Sequence, residues 1–514
     1  MKNQRLQIVV PMINCLLWVG SMWAQAPEIE WQRSLGGSLG DAATSVVHTQ
    51  DGGFVVAGQT SSDDGDVSGN HGLTDFWVVK LNAQGEIEWQ KTLGGSLYDE
   101  ASQIKQTKDL GYIVIGLSSS SDGNVSNNFG NYDFWIVKLD ASGNIQWEHN
   151  LGGSESDTPF DIIELEEGGY VVLGSTASND GHVSFNHGGV DYWVVHLNAE
   201  GFFLHDFSLG GTGYDMPSEI KLTLDGNYIL VGTSNSTNGQ VTGNHGNFDF
   251  WVVKLSPTGS ILWEKSLGGS ENDFAYSVNV TEDGGYIVAG ISHSNDGDVG
   301  GNYGEGDIWV VKLDAMGNIQ WEQNYGGSGQ DEAKQIQTIE EGYVIVGSTN
   351  SLDGDVTDLV GGLDYWLLRI SQSGELQWQQ TLGGSNDEDA TGVQPTTNRG
   401  YILAGRSRSS NGDVSGNHGS NDFWVVKMQP DPLSITEFNH SVQVYPNPAS
   451  QHLFVQAQEP IDQVIIYNTL GQPVMQSIAN YHQLQLDISQ LPAQLYMVVV
   501  KTMTSQQTFK ILVK

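Results

Sequence analysis

Asp75-Phe76-Trp77-Val78-Val79-Lys80-Leu81 returns, with small changes, at Asp133, Asp191, Asp249, Asp307, Asp364 and Asp422. Trp is third in every copy, and the second residue is Phe, Tyr or Ile. Successive copies are 58 residues apart, except for one interval of 57 between Asp307 and Asp364. A period of this length with several strand-like runs per unit marks a propeller or solenoid.

Working outward from this stretch, each unit shows four short runs. In the second unit they are Ala101 to Thr107, Tyr112 to Leu117, Asp133 to Leu139 and Asn144 to Leu151. All are apolar or alternating and bounded by Gly, Asn or Asp, which is the strand pattern. We name them strands A, B, C and D. The A–B link is a tight turn such as Asp51-Gly52-Gly53, and the sixth unit loses its residue there, at Glu341-Gly342. The C–D link, as in Asn82-Ala83-Gln84-Gly85, places Gly where a left-handed residue is wanted.

The phase of the repeat predicts closure. A strand D without its blade comes first, at Glu28 to Leu35, and the seventh strand C is followed by Gln429-Pro430-Asp431-Pro432 in place of a turn. If the orphan strand completes the last blade, the ring closes and leaves no open edges. The expectation is therefore all-β: a seven-bladed propeller over residues 27–429, closed by its N-terminal strand.

Of the 15 Trp, seven lie in strand C and six in strand D (Trp31, Trp89, Trp147, Trp263, Trp321, Trp378), with His205 in the remaining strand D place. These rings are expected in the core. Another repeated set is basic: Lys80, Lys138, His196, Lys254, Lys312, Arg369 and Lys427. Its simplest role is a packed stem with the cation beside a carboxylate. His71, His187, His245 and His418 share a position with Phe129 and Tyr303, so packing is expected of them rather than ligation.

Charge limits the partners. There are 61 Asp and Glu against 21 Lys and Arg, for a net −40, and nearly all of it falls within residues 28–430. Such a body repels phosphate backbones, so nucleic acid is not expected. At the N-terminus, Lys2 and Arg5, an apolar run to Trp23 and Ala24-Gln25-Ala26 read as a cleavable signal peptide over residues 1–26. The only cysteine, Cys15, lies inside it, so the mature chain is expected to have no disulfide.

The B–C and D–A links share one face. The D–A link carries Asp41, Asp99, Asp157, Asp215, Asp273, Asp331 and Glu388, and the face is expected to be strongly acidic. The long B–C loops hold the candidate metal ligands. In the first blade these are Asp64, Asp66, Asn70 and Asp75, and in the fifth Asp296, Asp298, Asn302 and Asp307. Calcium gathers six to eight oxygens from such segments. The same residues also form Asx-turns and cap N–H groups, and the spacing matches no EF-hand loop. The repeat breaks at His205, Met216-Pro217, Leu359-Val360, and Arg406 with Arg408; none of these forms a nucleophile–base pair.

Leu139-Asp140, Gly143, Ile145 and Trp147 resemble the repeat of quinoprotein-type propellers. That resemblance implies strand A innermost and D outermost, and says nothing about a quinone cofactor. Past Pro432 glycine nearly vanishes. Val444-Tyr445-Pro446-Asn447-Pro448, Val464 to Asn468 with Leu470-Gly471, Leu486-Asp487-Ile488 with Leu491-Pro492 and Leu495-Tyr496, and Lys510 to Lys514 then follow in order. Together they resemble the type A C-terminal sorting domain of the type IX secretion system. Gln494 departs from the family, which usually has Gly there.

The resemblance implies a small Ig-like β-sandwich at 441–514 after a linker at 430–440. It also implies handling by the secretion machinery and a secreted or outer-membrane surface location. The functional expectation is a monomeric, non-catalytic binding module for an extracellular glycan or protein, with calcium as its candidate ion. The alternative is a secreted polysaccharide hydrolase or lyase using loop-face carboxylates.

Overall fold

The computed structural model describes residues 25–432, 442–468, 471–502 and 506–514. The signal-peptide segment before residue 25 and most of the expected linker lie outside them. Every regular element of the described residues is a strand, and no helix among them is long and apolar enough to cross a membrane. The chain divides into two compact units, 1–432 and 433–514.

The first unit is a seven-bladed propeller of four-stranded antiparallel sheets. In the first blade the order is β2 (Asp41–His48), β3 (Phe54–Thr60), β4 (Asp75–Leu81) and β5 (Ile87–Leu93). In the seventh it is β26 (Glu388–Pro395), β27 (Tyr401–Ser407), β28 (Asp422–Met428) and then β1 (Ile29–Leu35). The orphan strand D closes the ring, with Leu35 opposite Phe423 and Ser34 opposite Trp424. Strand C is buried along its whole length, whereas strand D is half exposed.

Each residue of the opening motif has a separate task. The Trp of strand C is wholly buried, and its Nε1 donates to the outer strand, as from Trp77 to Gln90 and from Trp424 to Gln32, both 2.9 Å. The aromatic before it packs on the Trp of the next blade. Phe76 meets Trp135 and Phe134 meets Trp193 at 4.6 Å, and Phe423 meets Trp77 at 4.6 Å across the closure. Each buried indole removes about 150–250 Å² from water, worth roughly 4–6 kcal/mol at ~25 cal/mol/Å² as an upper bound. A lone sheet could not cover such faces, so these contacts hold blade to blade.

The strand D Trp differ from expectation. Trp31, Trp89, Trp147, Trp263 and Trp321 are only half buried and lie over a glycine of the next C–D turn, such as Gly85 under Trp31. Gly85 has φ +74, and a side chain there would strike the indole. Trp378 alone among the described strand D Trp is fully enclosed, at 1% exposure.

Every strand A carries a β-bulge at the same place, for instance between Ala43 and Ser45 and between Pro217 and Glu219. A bulge leaves a residue unpaired and turns its neighbour. In blades four to seven a residue just after the bulge donates its N–H to a side chain of the preceding blade. Asp161 accepts from Ile220 N (3.2 Å), Glu219 from Val278 N (2.7 Å), Ser277 from Ile336 N (3.2 Å) and Gln335 from Val393 N (2.7 Å). These bonds lace successive inner strands together.

The propeller unit runs to Pro432, slightly past the expected boundary at 429. Asp431 is fully buried and accepts from Arg369 Nη1 (2.6 Å), Tyr401 Oη (2.6 Å) and Trp378 Nε1 (3.3 Å). It gives Arg369 the carboxylate partner that the A–B turn gives Lys80 and Lys138 in their blades, and it helps to enclose Trp378.

The second unit is one nearly closed sheet of five strands, compatible with a small Ig-like sandwich. The order is β29 (Val442–Tyr445), β30 (His452–Tyr467), β32 (Leu495–Thr502) and β33 (Gln506–Leu512), with β31 (Pro473–Asp487) also paired to β30. Register shifts along β30 let it pair with β31 along two stretches and turn between partners. Leu453, Val455, Val464, Ile466, Val498 and Val500 form the core by simple alternation. At the departure from the family pattern, Gln494 O accepts from Val513 N at 3.0 Å.

Candidate functional site

The face built from the D–A and B–C links is organised by carboxylates that look inward. Asp41 is fully buried: Oδ2 accepts from Gly37 N (2.8 Å) and Ser62 Oγ (3.0 Å), and Oδ1 from Thr60 Oγ1. Asp99, Asp157, Asp215, Asp273, Asp331 and Glu388 are buried in the same way. These seven carboxylates fasten the loops, and the acidic groups that the face shows to solvent are those of the B–C loops, such as Asp63, Asp64 and Asp296. Burying the seven is tolerable because each accepts several hydrogen bonds.

The candidate calcium ligands are each engaged separately. Asp64 Oδ1 accepts from Ser38 N (2.7 Å) and Asp66 Oδ2 from Gly36 N (3.3 Å). Asn70 donates to Ser62 O (3.1 Å) and accepts from Gly72 N (2.9 Å), and Asp75 Oδ2 accepts from His71 N (2.9 Å). The fifth blade repeats this. Asp296 accepts from Ser270 N (2.7 Å), Asp298 from Gly268 N (3.4 Å), Asn302 from Gly304 N (2.9 Å) and Asp307 from Tyr303 N (2.5 Å). In the fourth blade the neutral Asn238 and Gln240 make the equivalent bonds, both 3.0 Å. The bonds therefore need an acceptor and not a charge. Among the described residues no three His, Cys, Asp or Glu are grouped to hold a metal ion.

The strand C Asp and the next blade's D–A carboxylate flank one glycine. A Cβ on Gly326 would lie 2.6 Å from both Asp307 Oδ1 and Asp331 Oδ2. That is the physical reason for the first Gly of Leu-Gly-Gly. Oδ1 of Asp75, Asp133, Asp191, Asp249, Asp307, Asp364 and Asp422 is buried and has no hydrogen-bond partner. Burial pushes these acids up, with the neighbouring carboxylate adding in several blades. Asp133 and Asp364 reach about 6 and Asp307 about 7.

The repeated histidines are more than packing. His71, His187, His245 and His418 each bring Nδ1 to the strand C Asp at 2.6–3.0 Å. Blades two, five and six have Phe129, Tyr303 and Val360 there, and those are the blades whose Asp is pushed to about 6 or 7.

Beside exposed B–C carboxylates such as Asp63 and Asp296, this face leaves aromatic rings open. Phe129, Phe185, Tyr214 and Tyr303 are 43–63% exposed, on loops whose backbones are fixed by the bonds above. Phe129 packs edge-on to His182 at 4.9 Å and Phe185 to His187 at 4.8 Å. The alternation of the strands gave no hint of these rings, since they sit in loops.

The repeated cations behave as expected on the opposite side. Lys80 pairs with Asp51 (3.0 Å), Lys138 with Asp109 (2.9 Å), Lys254 with Asp225 (2.7 Å) and Lys312 with Asp283 (3.0 Å), each carboxylate coming from the A–B turn. A cleft of about 750 Å³ opens there between blades five and six, beside the shortened turn, with Lys312, Trp321, Glu340 and Gln372 in its walls. Its rings, Trp321 and Tyr343, are already packed on each other at 6.4 Å, so it offers no free aromatic platform.

Fold and tail together define an exported propeller. Residues 443–514 match the secretion system C-terminal sorting domain family, and with the tail's five-stranded sheet this places the chain among proteins sent by type IX secretion to the cell surface or extracellular space. Part of the chain is similar to the regulatory protein FlaEY of Caulobacter vibrioides. They are 29% identical over 201 residues, 35% of this chain and 20% of the relative, so the match spans about a fifth of that protein. Among solved structures, PorZ of the type IX secretion system of Porphyromonas gingivalis overlaps 85% of this chain and 63% of its own, at 11% identity and TM-score 0.30. A puromycin hydrolase overlaps 85% and 62%, at 12% identity and TM-score 0.45. At these scores neither overlap bears on activity.

Proposed function

We propose that the propeller is a non-catalytic binding module for an extracellular glycan, delivered to the surface by its sorting tail. The observation that carries this is the set of exposed rings, Phe129, Phe185, Tyr214 and Tyr303, on one face and on loops fixed by buried carboxylates. Aromatic rings with polar neighbours present an apolar surface at little entropic cost when their backbone is already rigid. The strand C acids with raised pKa are wholly buried behind these loops, which removes them from contact with a polymer and favours binding over the hydrolase or lyase alternative.

A glycan array and a reducing-end assay on polysaccharides, run on the whole protein, test this. Binding without turnover is expected, and replacing Phe129, Phe185 and Tyr303 together by Ala should abolish it. Steady release of reducing ends that survives those changes would show a hydrolase instead.

A further inference from the structure

The single interval of 57 residues reshapes the turn face. In the fifth blade the A–B turn is Thr281-Glu282-Asp283-Gly284-Gly285, and Asp283 Oδ1 accepts from the Thr281 hydroxyl and from Gly285 N (3.0 Å). In the sixth, Ile339 pairs with Gly342, so Glu340 and Glu341 alone make the turn, with Glu341 at φ +66. Ile339 stands in the place of Thr281, and the Thr–Asp pair that folds the longer turn is gone. The cleft of about 750 Å³ opens at this junction, within the range of about 300–1,000 Å³ usual for small-molecule sites.

The walls of the cleft hold unspent hydrogen-bonding groups. Tyr343 is 4% exposed, yet its Oη makes no hydrogen bond among the described residues, whereas Tyr401 Oη donates to Asp431. Trp321 Nε1 has no partner among them either, whereas Trp31 Nε1 donates to Ala83 O and Trp378 Nε1 to Asp431. The Lys312 ammonium, by contrast, is already spent on Asp283, Leu313 O and Gln320 Oε1, at 3.0–3.1 Å. Gln320 thus keeps its N–H groups, while the exposed Gln372 and Glu282 offer free acceptors.

This set selects a ligand chemistry. Donors and acceptors stand together, and a sugar hydroxyl both donates and accepts. An anion is disfavoured, because Glu282, Asp283 and Glu340 line the cleft and its one ammonium is paired. A bare ammonium would leave the Tyr343, Trp321 and Gln320 donors unmatched, and an unmatched enclosed donor is costly. Trp321 and Tyr343 are packed on each other, so an apolar side chain gains little there.

We propose that the cleft between blades five and six binds the end of a neutral oligosaccharide. Tyr343, Trp321 and Gln320 donate to its hydroxyls, and Glu282 and Gln372 accept from them. The site lies on the turn face, away from Phe129, Phe185 and Tyr303, and does not rest on their role.

The test is titration calorimetry and saturation-transfer nuclear magnetic resonance on the whole protein. The probes are cellobiose, maltose and diacetylchitobiose, with glucuronic acid and glucosamine as charged controls. One neutral disaccharide should bind at least about tenfold more tightly than either control. Tyr343→Phe keeps the ring, as Phe54 does in the first blade, and should weaken that binding about fivefold by removing one hydrogen bond. A glycine inserted between Glu340 and Glu341 restores the 58-residue interval and should abolish it. Melting curves of both variants report whether they fold. Replacing Phe129, Phe185 and Tyr303 together by Ala should leave the disaccharide binding unchanged, which separates this site from the loop face. Equal binding by wild type and Tyr343→Phe would overturn the proposal. So would tighter binding of a charged control, or no binding of any of the three disaccharides.

Discussion

Asp431 Oδ2 and Arg369 Nη1 lie 2.6 Å apart, and both residues are closed off from solvent. Arg369 comes from the blade with the shortened A–B turn, and Asp431 from the segment that leaves the last blade. Removing one partner of a buried pair strands the other charge, at a cost of about 3–5 kcal/mol. Asp431→Ala should therefore shift urea unfolding of the protein, followed by Trp fluorescence, by about that amount. Replacing Arg369 by Met and Asp431 by Leu together should recover much of the loss, because the unpaired charge is then gone.

The closed ring was legible in the repeat because a residue type recurs wherever every blade needs the same contact. Trp77 and its six counterparts each receive the ring or aliphatic chain of the blade before and bond the strand outside, so no substitute appears. The inner lacing was not legible. Ser45, Gln103, Asp161, Glu219, Ser277 and Gln335 hold one structural position, but any side-chain acceptor will serve there, so no letter repeats. The loop carboxylates misled for a related reason. Asp41 reads as surface charge in sequence, and only the hydroxyls of Thr60 and Ser62, about twenty residues on, reveal it as a buried acceptor.

Asp133, Asp307 and Asp364 lack the histidine that partners Asp75. Burial holds Asp307 at about 7 in the folded chain, against an ordinary value of 3.8, and holds the other two at about 6. Between those values the folded state keeps protons that the unfolded state has released. Their contribution is therefore fully present below about 3.8 and is lost as the pH rises through 6 to 7. Changing all three to Asn should flatten this part of the melting-temperature profile between pH 4 and 8 and raise the melting temperature at pH 8. An Asn amide can face Asp331 across Gly326, where Asp307 Oδ1 now has no partner.

Asp75→Asn should do the reverse at neutral pH. The Asp75 carboxylate accepts both the backbone N–H and the ring of His71, and a neutral amide weakens the charge-assisted bond, worth about 1.5–3 kcal/mol for a charged partner. Thermal melting at pH 7 should show this variant less stable than the wild type by about that amount, and an unchanged melting temperature would show that the His71 contact to Asp75 contributes nothing to stability.

In the inner lacing, the junction of the seventh blade with the first lacks a side-chain acceptor. Gly392 stands where Asp161, Glu219, Ser277 and Gln335 supply an acceptor, so Val46 N in the first blade has none from the seventh. A cavity of about 50 Å³ lies beside it, bordered by Ser45, Val46, Lys105 and Lys221. A Cβ on Gly392 would sit 3.5 Å from Gln335 Oε1 and 3.8 Å from Val46 N, which is ordinary contact, and the backbone there is not left-handed. Gly392→Ser can therefore accept from Val46 N as Ser277 does from Ile336 N. It should stabilise the ring by about 1 kcal/mol from the new bond, with a further few tenths from the stiffer unfolded chain. Ser277→Ala, which opens the matching gap elsewhere, should cost about 1–3 kcal/mol by leaving the Ile336 N–H unmatched. Urea melts of the two variants should move in opposite directions; a loss of stability in both would mean that the channel at Gly392 needs its space more than it needs the bond.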